Sequence, residues 1–139
     1  MTQAQFVETL DMATAAGPLA FKGGAQRFNV LLVGAHTAVE AALSALVSDV
    51  PGAVSVWTVE APMPARDGLE VVIVRDVDRL SPTLQDAWVS WMEGGHRRPQ
   101  IIATSRVPVF PLVAEGVFRS ELYYRLNTLL LDLAADQTA

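Results

Sequence analysis

Asn29-Val30-Leu31-Leu32-Val33-Gly34-Ala35-His36-Thr37-Ala38-Val39-Glu40-Ala41-Ala42-Leu43-Ser44-Ala45-Leu46-Val47-Ser48 decides the fold class of this chain. Its first residues are a short apolar run closed by Gly34, and from Thr37 to Ser48 Ala and Leu recur at helical spacing. That is strand, glycine turn, helix. Downstream, Val54 to Val59 is rich in β-formers, and Val71 to Val74 is an uninterrupted apolar run of the kind a sheet buried on both faces requires. Ser81-Pro82 reads as an N-cap and first helical residue, opening a helix to about Glu93 that Gly94-Gly95 ends. Ile101 to Thr104 gives a fourth strand, Phe118 to Arg125 a short helix and Leu129 to Leu133 a fifth strand. Upstream, Phe6, Leu10 and Ala13 predict a helix over about residues 4–16, stopped by Gly17-Pro18. Strands alternating with such helices call for an α/β three-layer sandwich, its five-stranded sheet mainly parallel and covered on both faces. In such sheets ligands sit beyond the carboxyl ends of the strands, here Gly34 to Thr37, Arg75-Asp76 and Ser105.

The 139 residues fit one domain, taken as 1–139. With 51% hydrophobic and 18% charged residues and a mean hydropathy of +0.31, the chain lies far from the disordered class. A net charge of −5 argues against nucleic acid as a direct partner, since phosphate binding needs clustered Lys and Arg. The basic run His96-Arg97-Arg98 between Gly95 and Pro99 reads as a solvated loop. There is no Cys, and the two histidines stand sixty residues apart, so no metal site is expected. No secretory leader and no apolar stretch of about 18 residues is present, so a cytoplasmic location with no membrane contact is expected.

The string Val113-Ala114-Glu115-Gly116-Val117-Phe118-Arg119-Ser120-Glu121-Leu122-Tyr123-Tyr124-Arg125-Leu126-Asn127 resembles V-A-E-G-x-F-R-x-D-L-Y-Y-R-L-N of the sigma-54-interaction AAA+ ATPases, the bacterial enhancer-binding activators. Leu80, Leu84, Gln85 and Trp91-Met92-Glu93-Gly94-Gly95 resemble that family's helix after the Walker B strand, and Ile101-Ile102-Ala103-Thr104-Ser105-Arg106 its sensor strand. Together these cover about residues 69–131. The resemblance implies a P-loop NTPase-like core. It also implies that Arg119 and Arg125 match arginines reaching into a neighbouring subunit's ATP site, with Tyr123 at i, i+4 from Arg119 on an interface. The plainer reading makes both arginines surface or salt-bridge residues, and Tyr123 part of an apolar helix stripe.

The chemistry of that family is missing from the matching positions. A P-loop needs G-x-x-x-x-G-K-[ST], where backbone N–H groups wrap the phosphates, Lys pairs with them and a hydroxyl holds Mg²⁺. Counting from Gly34, those positions hold Val39, Glu40 and Ala41. A carboxylate near phosphate is repelled by about 4 kcal/mol per charge pair at 4 Å and an effective dielectric near 20. After Val71-Val72-Ile73-Val74, Arg75 stands where a metal-holding Asp belongs, with Asp76 next to it. Two charges in a partly dry cleft need partners, which predicts an Arg75–Glu40 or Arg75–Asp76 pair. The family's G-A-F-T-G-A loop, which engages sigma-54, has no counterpart in residues 44–70, and its helical lid is not expected here.

The expected function is therefore a non-hydrolysing AAA+-like module with no catalytic residues, no metal and no cofactor. It would bind a protein partner, such as an AAA+ activator or another copy of itself, in transcription regulation. The alternative is a weak nucleotide binder, holding ATP as a vestigial ligand through Gly34, Thr37, Glu40, Arg75, Asp76 and Ser105. A receiver-like domain is disfavoured because Gly34-Ala35-His36 lacks the acidic pair it needs.

Overall fold

The chain is described by a computed structural model over residues 28–94 and 98–133. The helix expected at 4–16 lies outside those residues. In chain order the elements are β1 (Val30–Val33), α1 (His36–Val47), β2 (Ala53–Trp57), β3 (Leu69–Val74) and a 3₁₀ turn (Val77–Arg79). There follow α2 (Pro82–Glu93), β4 (Gln100–Ser105), α3 (Phe110–Ala114), α4 (Ser120–Leu126) and β5 (Leu129–Asp132). The strands form one sheet in the order β2-β3-β4-β1-β5, and every neighbouring pair is parallel. The sequence places all five strands and the helices α1, α2 and α4 to within about two residues, but it misses α3 and the 3₁₀ turn.

Handedness decides which helix covers which face. The step from β1 to β2 runs one way across the sheet, and the steps from β3 to β4 and from β4 to β5 run the other way. Right-handed crossovers therefore put α1 on one face and α2 to α4 on the opposite face. Val39, Ala42, Leu43 and Leu46 of α1 pack with Val30, Leu32, Val71, Ile73 and Ile102. On the other side Trp88, Met92, Leu122, Tyr123 and Leu126 pack with Leu31, Val33, Val72, Val74, Ile101 and Ala103. β1 and β4 are buried along their whole length, as their apolar runs require.

The edges are treated differently. β2 leaves Val54 and Val56 exposed, and it is anchored by Trp57, whose ring meets Trp88 edge-on at 5.2 Å and whose indole N–H donates to the Ala61 carbonyl at 3.0 Å. α2 begins as expected, with the Ser81 hydroxyl accepting from the Leu84 N–H at 3.2 Å and Pro82 as first residue.

One buried polar side chain joins α2 to the segment before α4. Gln85, 1% exposed, donates from Nε2 to the carbonyls of Leu80 and Val117, both at 3.0 Å, and its Oε1 accepts from the Arg119 N–H at 2.6 Å. All three partners are backbone groups, so the amide reads the position of the chain, not a neighbouring side chain. Replacing it with an isosteric apolar residue strips one donor and two acceptors of their partner, each worth about 1–3 kcal/mol when buried. Gln85→Leu is expected to lower stability by at least about 3 kcal/mol in urea unfolding. Asp86→Asn next to it, on the exposed side, is expected to change it by less than about 0.5 kcal/mol.

Candidate functional site

The carboxyl ends of β1, β3 and β4 converge, and the connections leaving them lock to one another. The Gly34 N–H donates to the Ser105 carbonyl at 3.0 Å, tying the turn after β1 to the end of β4. The Asp76 N–H donates to the Thr104 hydroxyl at 2.9 Å, tying the turn after β3 to the same strand. Asp76 itself sits at φ 55, ψ 54, the left-handed region that Asp tolerates better than most side chains. Its carbonyl accepts from Arg79 at 2.9 Å, which starts the 3₁₀ turn.

Across this turn lies the ion pair that the sequence anticipates as one of two choices. Arg75 Nη1 donates to Glu40 Oε2 at 2.5 Å, from β3's end to the second turn of α1. The bond from Arg75 holds the Glu40 carboxyl below its ordinary range, against the opposing effect of burial, with the Arg75 and His36 charges adding to it. The same bond raises the Arg75 guanidinium further above its already high value. His36 Nδ1 stands 4.0 Å from the same Glu40 oxygen.

What space remains is small. The cleft bounded by Gly34, Arg75, Asp76 and Ser105 encloses about 10 Å³, room for about one water molecule. Ser105 is 1% exposed, and its hydroxyl is turned onto its own connection, donating to the Val107 carbonyl at 2.5 Å and accepting from the Val107 N–H at 3.2 Å. Thus Gly34, Arg75, Asp76 and Ser105 come together as expected, and Glu40 joins through Arg75. Thr37 is exposed on α1 and lines no part of the cleft. Four lining residues were not among the six candidates: His36, Val39, Thr104 and Arg106. Arg106 could have been found, because it follows Ser105 in the string that resembles the sensor strand.

The α4 residues are arranged otherwise than the interface reading expects. Tyr123 is a core residue at 8% exposure, and the surface tyrosine is Tyr124 at 64%. The reason is register. α4 starts at Ser120, so Leu122, Tyr123 and Leu126 form its buried stripe, while Arg119 is the extended N-cap and shares no helix face with Tyr123. Arg119 makes a fork with Asp86, Nε to Oδ1 at 3.1 Å and Nη2 to Oδ2 at 3.3 Å. Arg125 donates from Nη2 to Glu93 at 2.8 Å and to Glu121 at 3.1 Å. Both arginines are engaged within the chain, as the plainer reading has it.

No protein-family profile matches the chain. It is 30% identical over 73 residues to the HTH-type transcriptional regulatory protein TyrR of Enterobacter agglomerans, an alignment covering 45% of this chain and 14% of that protein. The crystal structure of NtrX from Brucella abortus in complex with ATP superposes with a TM-score of 0.68 at 15% identity, over 96% of this chain and 37% of that one. The RuvB Holliday junction branch migration motor of Thermotoga maritima superposes at 0.61 and 19% identity, over 94% of this chain and 44% of that one. The chain therefore spans less than half the length of each of these proteins. Their shared core is the P-loop AAA+ sheet with its flanking helices, the fold described above. With that sheet, and with the TyrR match in sequence, the chain is related to the sigma-54 activator group of AAA+ proteins.

Proposed function

We propose that this chain is a non-hydrolysing AAA+-type module that acts by contact with another copy of itself, in the regulation of transcription that the name of its relative TyrR describes. The observation that carries the reading is the Arg75–Glu40 pair across a cleft of about 10 Å³. A triphosphate with its metal needs a Lys, a hydroxyl and a carboxylate there. It would meet a carboxylate at Glu40 and a guanidinium at Arg75, and the pair would have to part to make room. Neither ATP nor Mg²⁺ fits these residues. No step of a reaction is assigned to them.

Purified protein is expected to release no phosphate from ATP above a buffer control and to give no saturable signal with a fluorescent ATP analogue. Mg²⁺-dependent release that Asp76→Ala abolishes would overturn the reading. A saturable titration without release would favour instead the weak nucleotide binder, for which one observation speaks: His36, Arg75 and Arg106 all line the cleft and carry or can carry positive charge.

The contact surface is assigned to the aromatic ridge between α3 and α4. Phe110 packs on Tyr123 at 5.8 Å between centroids, and Tyr123 on Tyr124 at 5.1 Å, so the buried middle ring props up two outer rings that are 52% and 64% exposed. Exposed aromatics on a fixed support are the residue type in which interfaces concentrate binding energy. Wild type is expected to self-associate in sedimentation velocity at about 100 μM, the doubly substituted Phe110→Ser, Tyr124→Ser protein to remain monomeric, and their melting temperatures to agree within about 3 °C. A wild type that is monomeric at that concentration would refute the contact.

The ion pair also sets an acid limb. Glu40 titrates lower in the folded chain than in the unfolded one, so its contribution is complete above about pH 5 and is lost as pH falls through the lowered value. Glu40→Gln is expected to be less stable than wild type at pH 7 and to lose less stability between pH 5 and pH 3, read by urea unfolding at each pH.

A further inference from the structure

The largest cavity among those described lies at the opposite end of the sheet, where the strands begin. It encloses about 260 Å³. Among the described residues three guanidinium groups line it, Arg66, Arg98 and Arg125, and no Asp or Glu does. In a chain with 10 basic and 15 acidic side chains, chance would put more carboxylates than guanidiniums around a cavity of this kind. The rest of the lining is mixed: Asn29, Tyr124 and Thr128 contribute polar groups, while Trp91 and the buried Met92, Pro99 and Ile101 contribute apolar surface.

The walls are braced. Arg66 lies over the Trp91 ring, 5.1 Å from its centroid, and the Trp91 indole N–H donates to the Pro64 carbonyl at 2.8 Å, fixing the ring's plane. Asn29, just before β1, donates from Nδ2 to the Arg125 carbonyl at 2.9 Å and accepts at Oδ1 from the Ile101 N–H at 2.9 Å. One amide thus holds the end of α4 at a set distance from the start of β4. Among the described residues Arg125 meets Glu93 and Glu121 through Nη2, which orients its plane.

We propose that this cavity is a binding site for a small aromatic carboxylate. Guanidinium forks match the two oxygens of a carboxylate in one plane. The Trp91 face and the Met92–Ile101 floor match a single ring. A bare phosphate would satisfy guanidinium donors and leave the apolar part of the lining without a partner, and a ligand bearing an ammonium group would find no carboxylate among the described lining residues. The volume lies below the roughly 300–1,000 Å³ of sites for drug-sized ligands, which limits the occupant to about one ring and its acid group. The basic run that reads as a solvated loop in the sequence therefore supplies, in Arg98, one wall of a site. This inference does not rest on the proposed function, since the two sites lie at opposite ends of the strands.

Benzoate is the probe. Titrated into the whole chain at pH 7, it is expected to shift tryptophan fluorescence and the amide resonances of residues 91, 98 and 125 saturably. Inorganic phosphate is expected to bind at least about tenfold more weakly, and benzylamine not at all. Arg98→Ala is expected to weaken benzoate at least about tenfold with an unchanged melting temperature, and Arg98→Lys, which keeps the charge and loses the fork, to fall between. Absence of saturation by about 10 mM, phosphate binding as tightly as benzoate, or a folded Arg98→Ala variant that binds benzoate like wild type would overturn the assignment.

Discussion

The parallel pairing of β1 with β4 is the interaction on which the rest of the molecule hangs. Val30 to Val33 lie against Ile102 to Ser105, with every side chain of both runs buried. Burial of these eight strand residues on two faces leaves neither strand a solvent-facing side. Both candidate sites grow from the ends of this pair. At the carboxyl end, Gly34 and Ser105 are bonded to each other and the cleft beyond them is shut by Arg75 and Glu40. At the amino end, Asn29 bridges to Ile101 and props open a cavity. One ladder, two ends, opposite outcomes.

The shut end is a matter of charge placement. Glu40 and Arg75 belong to different elements, 35 positions apart in sequence, yet they meet because α1 and β3 both begin or end at the same rim. Neither is more than partly screened by protein, with side-chain exposures of 39% and 26%, so the pair is worth less to stability than its short distance suggests. Its weight lies in exclusion. The same reasoning applies to Arg119 with Asp86 and Arg125 with Glu93 and Glu121, which are surface pairs that orient side chains and contribute little to the fold.

Much of this was legible in the sequence, for reasons that differ by residue. Val71 to Val74 announces a strand covered on both sides because four apolar residues in a row cannot alternate in and out. Ser81-Pro82 announces a helix start because its chemistry is local. The Arg75–Glu40 pair could be anticipated because two charges replace groups of known place in a related fold. Tyr123 was legible as part of an apolar helix stripe, but pairing it with Arg119 on one face failed because α4 begins at Ser120, two residues later than expected, and leaves Arg119 as the extended N-cap. α3 was missed because Phe110-Pro111 reads as a turn when only one helical turn follows it. Arg98 was read by its neighbours in sequence, whereas its role comes from Arg66 and Arg125, which tertiary structure brings to it.

The strand order also governs how the chain must be made. β1 is the first described strand to leave a ribosome, and its partners lie far behind it: Val30 pairs with Ile102 and with Leu129, 72 and 99 positions later. At synthesis rates of about 5–20 residues per second, the Val-Leu-Leu-Val segment waits on the order of 4–14 seconds before even its first neighbour exists. Only β2 and β3 can pair early, and they form the edge that leaves Val54 and Val56 open. Such a delay favours slow, late-closing folding and a long exposure of the most apolar strand to chaperones or to other nascent chains. The yield of folded protein would then depend more on the rate of translation through residues 34–105 than on the final stability of the sheet.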